Sequence, residues 1–173
     1  IKALRRVAKA HDYDAALITA VENVNDRQKF VISNKVIKRF GEDLSGKFFG
    51  IWGLAFKPGT DDMRESPAIY VIEELVKRGA RIVAYDPKAM EEAKNHYLKG
   101  INEVTYVDSK YKVLENANAL ILLTEWKEFR SPDFDKIKSQ LVSPVIFDGR
   151  NQYNAFNIEK FGFEYFQIGK TSI

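Results

Sequence analysis

Cysteine is absent from the 173 residues, which excludes a disulfide framework and a thiolate nucleophile within them. Histidine is scarce: His11 and His96 stand far apart, without the spacing of a metal site or a Ser or Cys partner in an elbow motif, so both read as surface residues. No apolar run approaches the roughly 18 residues of a spanning helix, and the amino terminus lacks the basic flank and apolar core of a signal peptide. Charge of one sign is not concentrated anywhere. The 27 basic and 24 acidic residues are scattered and leave a net +3, a mixed surface that argues against nucleic acid as a partner. Internal repeats and low-complexity segments are missing too. A cytoplasmic enzyme without membrane contact fits this profile.

What is present suits one main domain with an appendage, since 45% hydrophobic and 29% charged residues are ordinary for a globular protein of this length. The first residue is Ile1 rather than Met, which we read as a chain that begins inside a larger protein. From about Asp14 to Phe40, Leu17, Val21, Val24, Val31, Ile32, Val36 and Phe40 recur at helical intervals without Gly or Pro, as a long helix or a broken pair closed by Gly41. Beyond the polar connector Glu42 to Lys47, short apolar runs alternate with helical segments, the signature of βαβ units. Strands are expected at Phe48 to Phe56, Arg81 to Asp86, Val104 to Asp108, Ala119 to Thr124, Val145 to Asp148 and Tyr165 to Ile168. The clearest helix follows the first strand, with Ser66 as cap, Pro67 in first position, Ile69, Ile72, Leu75 and Val76 as its apolar face and Gly79 as its stop. Further helices are expected at Ala89 to Leu98, Tyr111 to Asn116 and Phe134 to Gln140. The fold class is therefore a doubly wound α/β domain with a mainly parallel sheet, residues 45–173, behind a helical segment, residues 1–44. Such sheets take ligands at the carboxyl ends of their strands.

The candidate chemistry lies at that edge. Lys57 to Glu65 is a polar, turn-forming stretch longer than the usual two to six residues of a βα loop. Lys57 and Arg64 offer cations, Gly59 allows close backbone approach and Thr60 adds a hydroxyl, so the loop can hold phosphate; alternatively its charges simply pair with Asp61, Asp62 and Glu65, the commoner fate of such loops. Gly50 and Gly53 are followed by Leu-Ala-Phe rather than by the further glycines of a dinucleotide fingerprint, so a standard NAD cradle is not expected here. Asp86 closes the second strand, where it can hold ribose hydroxyls or open an Asp-Pro turn; the turn is preferred. Arg150 emerges beyond the strand Pro144 to Asp148 at the same rim as Lys57, either as half of an anion site or in a rim salt bridge with Asp148. Trp126 and Phe129 can wall a base, but packing against the sheet is preferred.

The stretch Gly53-Leu-Ala-Phe-Lys-Pro-Gly-Thr-Asp-Asp-Met-Arg-Glu-Ser-Pro67 resembles the start of the carboxyl-terminal UDP-binding domain of the UDP-glucose/GDP-mannose dehydrogenase family. Tyr85-Asp-Pro87, Leu122-Leu-Thr-Glu-Trp126 and Phe147-Asp-Gly-Arg150 follow in the family's order, and the resemblance spans essentially the whole chain. It implies a Rossmann-like UDP-binding domain at residues 45–173 and, at residues 1–44, the end of the central helical region through which the family forms dimers or larger homo-oligomers. It implies sugar oxidation by two hydride transfers to NAD through a cysteine thioester. By that resemblance Phe56, Lys57 and Arg150 contact the sugar nucleotide and Arg64 reaches NAD across a domain interface. The family's cysteine loop and NAD-binding domain have no counterpart here, so this chain alone is expected not to turn over. Leu-Thr-Glu-Trp and Phe-Asp-Gly-Arg-Asn resemble UDP-glucose enzymes more than those for GDP-mannose or UDP-N-acetyl-mannosamine, and UDP-glucose is the expected substrate. A non-catalytic nucleotide-binding module is the competing reading.

Overall fold

With neither glycine nor proline between Asp14 and Phe40, helix occupies most of that stretch, as two helices rather than one. A computed structural model describes residues 2–170. In it α1 (Lys2–Ala10), which falls within the expected helical segment though its bounds were not assigned, precedes α2 (Ala16–Gln28) and α3 (Val31–Phe40). The break falls at Lys29 and Phe30. Lys29 is 7% exposed and Phe30 meets the Tyr70 ring edge-on at 5.8 Å, so both side chains turn toward the domain instead of continuing the helix. The single apolar stripe expected here divides accordingly. Ile32, Val36 and Ile37 of α3 are buried, whereas Leu17, Val21 and Val24 of α2 face solvent. Gly41 ends α3 at a φ of 97°, its N–H bonded to the Ile37 carbonyl at 2.8 Å.

Six parallel strands follow: β1 (Phe48–Trp52), β2 (Arg81–Tyr85), β3 (Val104–Tyr106), β4 (Ala119–Leu122), β5 (Val145–Asp148) and β6 (Glu164–Gln167). Their order, β3-β2-β1-β4-β5-β6, reverses direction between β1 and β4, which is where a doubly wound sheet opens a crevice. The inner strands β4 and β5 are buried along their whole length, consistent with the apolar runs at residues 119–122 and 145–147. All strands but β5 differ from expectation by a residue or more at an end; β1 is the clearest case, stopping at Trp52 because Gly53 turns the chain out of the sheet at a φ of 92°.

Helix α4 (Pro67–Lys77) forms as expected: Ser66 accepts the Ala68 N–H at 3.3 Å, and Pro67 occupies the first position. Its core face is Ala68, Val71, Ile72 and Leu75; Ile69 and Val76 are half-buried at the margin. The helix expected at Ala89 to Leu98 is a short α5 (Met90–Glu92) running into a π-helical turn (Ala93–Tyr97), and Tyr111 to Asn116 supplies only a 3-10 turn at Lys112–Leu114. Helix α6 (Phe134–Gln140) matches its expected bounds, with Asp133 accepting the Lys136 N–H at 2.9 Å. Among the described residues no helix is long and apolar enough to cross a membrane.

Candidate anion-binding cleft

Every backbone polar group of the chain leaving β1 has to find a partner once the ladder ends. The partners come from the four motif stretches. Gly53 N–H still reaches the Tyr85 carbonyl at 2.9 Å. Leu54 and Ala55 N–H groups then donate to Asp86 Oδ2 at 2.7 and 3.0 Å, and the Trp126 indole N–H joins the same oxygen at 3.0 Å. Asp86 Oδ1 accepts the Lys88 and Ala89 N–H groups, each at 2.8 Å. The preferred turn role for Asp86 therefore holds, and it extends to clamping two loops and an indole. On the carbonyl side, Ser66 Oγ donates to Leu54 at 2.7 Å, Thr124 Oγ1 to Ala55 at 2.5 Å and Arg150 Nη2 to Phe56 at 2.9 Å. Residues far apart in sequence thus fix three consecutive peptide units.

This accounting shows what the glycines and Asp86 do not do. A Cβ on Gly53 would lie 2.5 Å from Thr124 Cβ, and one on Gly50 would strike the Val113 carbonyl, so both glycines allow protein to pack on protein rather than a phosphate to approach. Asp86 is fully buried with both oxygens occupied, leaving no acceptor for a ribose. The residues present do not fit a dinucleotide cradle, in agreement with the sequence reading. Trp126 and Phe129 pack as preferred: Phe129 is fully buried and stacks on Trp52 with ring centres 5.0 Å apart.

The predicted site residues are brought to one rim to different degrees. Arg150 is half-buried; its Nε donates to the Leu123 carbonyl at 2.9 Å and its Nη2 to Phe56, so backbone alone fixes the guanidinium plane. Its ionic partner is Glu125, with Oε2 3.0 Å from Nε, and not the side chain of Asp148. Since that N–H points at Leu123, Glu125 Oε2 receives no hydrogen bond, and the contact is purely electrostatic. Asp148 instead accepts the Arg150 and Tyr153 N–H groups and the Tyr165 hydroxyl. Phe56 is 45% exposed, and its carbonyl is held by Arg150. Lys57 is exposed, and among the described residues its ammonium has no hydrogen bond or ion pair. Arg64 is 79% exposed and gripped side-on by Asp62 at 2.7 to 3.2 Å. That grip holds the Asp62 carboxyl well down, at about 2. The charge pairing expected of a solvated loop is therefore present for Arg64 and Asp62, and the Lys57 charge also acts on Asp62 from a distance.

Between this rim and the α2–α3 junction lies a cleft of about 740 Å³ with Phe56, Arg150, Pro67 and Glu65 on one side and Gln28 and Lys29 on the other. A smaller hollow of about 290 Å³ continues past Arg150 toward Asn151 and Ile168. A third, of about 560 Å³, sits at the α1–α2 turn around Arg5 and Tyr13, away from the sheet edge. Sequence reasoning missed Lys29: its Nζ bonds Glu65 Oε2 at 2.6 Å, Asp26 at 3.0 Å and the Tyr70 hydroxyl at 3.3 Å. Burial opposes its charge, but these bonds outweigh that cost and hold its pKa above the ordinary lysine range. A lysine interrupting an otherwise amphipathic helical stripe was the available signal. His11 and His96 are exposed as expected, and no metal-binding cluster of side chains occurs among the described residues.

A parallel sheet of this order, reversing direction between β1 and β4 with helices packed on it, defines a Rossmann-like α/β domain. The chain belongs to the UDP-glucose/GDP-mannose dehydrogenase family: residues 50–155 match the model of that family's UDP binding domain. It is 40% identical over 172 residues to a UDP-glucose 6-dehydrogenase of Pseudomonas aeruginosa, covering 98% of this chain and 38% of the relative. A UDP-glucose 6-dehydrogenase of Rhizobium meliloti is 41% identical over 168 residues, with 97% and 38% covered. The chain thus spans well under half the length of these curated relatives. Among solved structures, a UDP-glucose dehydrogenase from Pyrobaculum islandicum superposes with a TM-score of 0.78 at 30% identity, over 95% of this chain and 34% of that one.

Proposed function

We propose that this chain is the UDP-sugar-binding part of an NAD-dependent UDP-glucose 6-dehydrogenase, a cytoplasmic enzyme converting UDP-glucose to UDP-glucuronate. Residues 45–173 form the UDP-binding domain. Phe56, Lys57 and Arg150 hold the substrate, and Arg64 is the residue offered to NAD. The observation that carries this reading is the convergence at the rim: Arg150 donates to the Phe56 carbonyl, and the next residue, Lys57, is a cation left unpaired among the described residues. A planar guanidinium held by backbone carbonyls and an exposed ammonium one residue beyond Phe56 suit a diphosphate, which takes a bidentate contact and a point charge together. The exposed ring of Phe56 supplies an apolar surface at the same place. Turnover needs a nucleophile and a dinucleotide site; these residues contain no cysteine, and their glycines do not cradle a dinucleotide. The chain by itself is therefore inactive. The solvent-facing stripe Leu17, Val21 and Val24 supports assembly as a homodimer or larger homo-oligomer through residues 1–44.

Calorimetric titration with UDP, GDP and NAD in turn tests the reading. UDP is expected to bind most tightly, and Lys57→Ala or Arg150→Ala is expected to weaken it by about 1.5 to 3 kcal/mol each, the range for a charged contact. Equal affinity for UDP in both variants and the parent would sink the assignment. Preference for GDP would transfer it to a GDP-mannose enzyme, and NAD reduction by the chain with UDP-glucose would refute the claim of inactivity.

A further inference from the structure

Five non-glycine residues among those described have positive φ, and four of them are Asp12, Asn116, Asn151 and Asn157, the types that enter this region most readily. The fifth is Glu65, at a φ of 60°. Glycine would be the cheap choice for that backbone, so the side chain has to explain why a glutamate stands there. Its carboxylate joins the domain to the helical segment. Oε2 receives Lys29 Nζ at 2.6 Å, and Oε1 receives Lys2 Nζ at 2.6 Å. Lys29 is in turn held by Asp26 and by Tyr70, whose ring centre lies 4.4 Å from the ammonium. Because Lys29 is 7% exposed, this end of the bridge is rigid, whereas Lys2, about half exposed, contributes a looser contact.

Glu65 also sits where position matters. It directly follows Arg64 and precedes Ser66, the cap of α4 that anchors the Leu54 carbonyl, and it lines the cleft with Phe56 and Arg150. The loop that bears Lys57 is thus fixed at its start by Asp86 and at its end by the bridge to α2.

We propose that Glu65 is a positioning residue for the anion cleft: bridged to Lys29, it holds the left-handed turn that sets the Lys57–Arg64 loop, and so makes the helical segment part of the binding site. The inference rests on the UDP reading above and adds a residue that acts by holding the loop rather than by binding phosphate. A rigid bridge lowers the ordering cost that a phosphate would otherwise impose on a long polar loop.

The test titrates UDP into the 173-residue chain and its Glu65→Gly, Glu65→Gln, Lys29→Met and Arg150→Ala variants, with thermal unfolding of each. Glu65→Gly relaxes the strained φ while removing the bridge, so its unfolding midpoint should stay close to the parent's while its Kd for UDP rises about tenfold. Glu65→Gln, still able to accept the Lys29 proton, should recover most of that affinity, and Lys29→Met should reproduce the loss. If Arg150→Ala weakens UDP binding but Glu65→Gly binds like the parent, the positioning role is wrong and the site stands. Should Arg150→Ala also bind like the parent, the site reading fails and takes the positioning role with it.

Discussion

Replacing Asp86 probes how strongly the motifs depend on one another. Its carboxylate accepts five N–H groups at 2.7 to 3.0 Å, is fully buried and forms no ion pair among the described residues. In Asp86→Ala those donors lose their acceptor, and a buried donor left unsatisfied costs about 1 to 3 kcal/mol. The gross penalty of roughly 5 to 15 kcal/mol is reduced by two effects. The fold no longer carries the desolvation of a buried charge, which is several kcal/mol, and a water entering the vacated space can accept about two of the bonds. With the middle of each range the net loss is about 3 kcal/mol, well above the typical single substitution. Asp86→Asn keeps the shape and one acceptor oxygen, which suffices for the Leu54, Ala55 and Trp126 donors; its amide then faces Lys88 and Ala89, for a loss of about 2 to 3 kcal/mol. Urea unfolding at neutral pH measures both, with an unchanged m-value as the check that the transition remains comparable. If Asp86→Ala lies within about 1 kcal/mol of the parent, the loop is not held by this carboxylate and the reasoning fails.

Two further outcomes test the packing and the titration behaviour. Gly53→Ala, which combines a φ of 92° with a Cβ 2.5 Å from Thr124, should destabilise by about 3 kcal/mol or more, whereas Gly59→Ala, at a φ of 90° with open space around it, should cost about 1 kcal/mol in the same urea assay. Burial first, and then the Asp148 charge, push the Tyr165 hydroxyl above its ordinary value of 10.0; the Tyr153 hydroxyl is raised in the same way. The folded state keeps those protons while the unfolded chain releases them, so stability is full below pH 10 and falls as pH rises beyond it. Tyr165→Phe should flatten that alkaline decline; an unaltered slope between pH 10 and 11.5 would contradict the assignment.

Much of the fold was legible because its signals are local. Apolar runs of β-branched residues, Ser66-Pro67 at a helix start and Gly41 past a helix end each act through neighbouring backbone, and the corresponding elements formed. Boundaries set by contacts distant in sequence were not legible. Strand β1 stops at Trp52 because Thr124 leaves no room for a side chain at Gly53, and the helix from Asp14 breaks at Lys29 because Glu65 and Tyr70 draw that lysine inward. The candidate site divides the same way. Lys57 and Arg150 could be assigned to one rim because each follows a strand of a parallel sheet, but the partner of Arg150 proved to be Glu125 rather than Asp148, since only the folded crevice brings β4 and β5 edges together. The role of Asp86 needed three loops in view, and no local pattern distinguishes an Asp-Pro turn from a clamp.

The central claim is that the four motifs build one rigid loop whose outer edge, Phe56 and Lys57 with Arg150, receives UDP. Amide hydrogen exchange of the chain with and without saturating UDP tests it most directly. Protection by UDP is predicted at residues 56–58 and 149–151, with the amides of Leu54 and Ala55 already slow in its absence because Asp86 holds them. Protection confined to the α1–α2 turn, or fast exchange at Leu54 and Ala55 in the free chain, would contradict it.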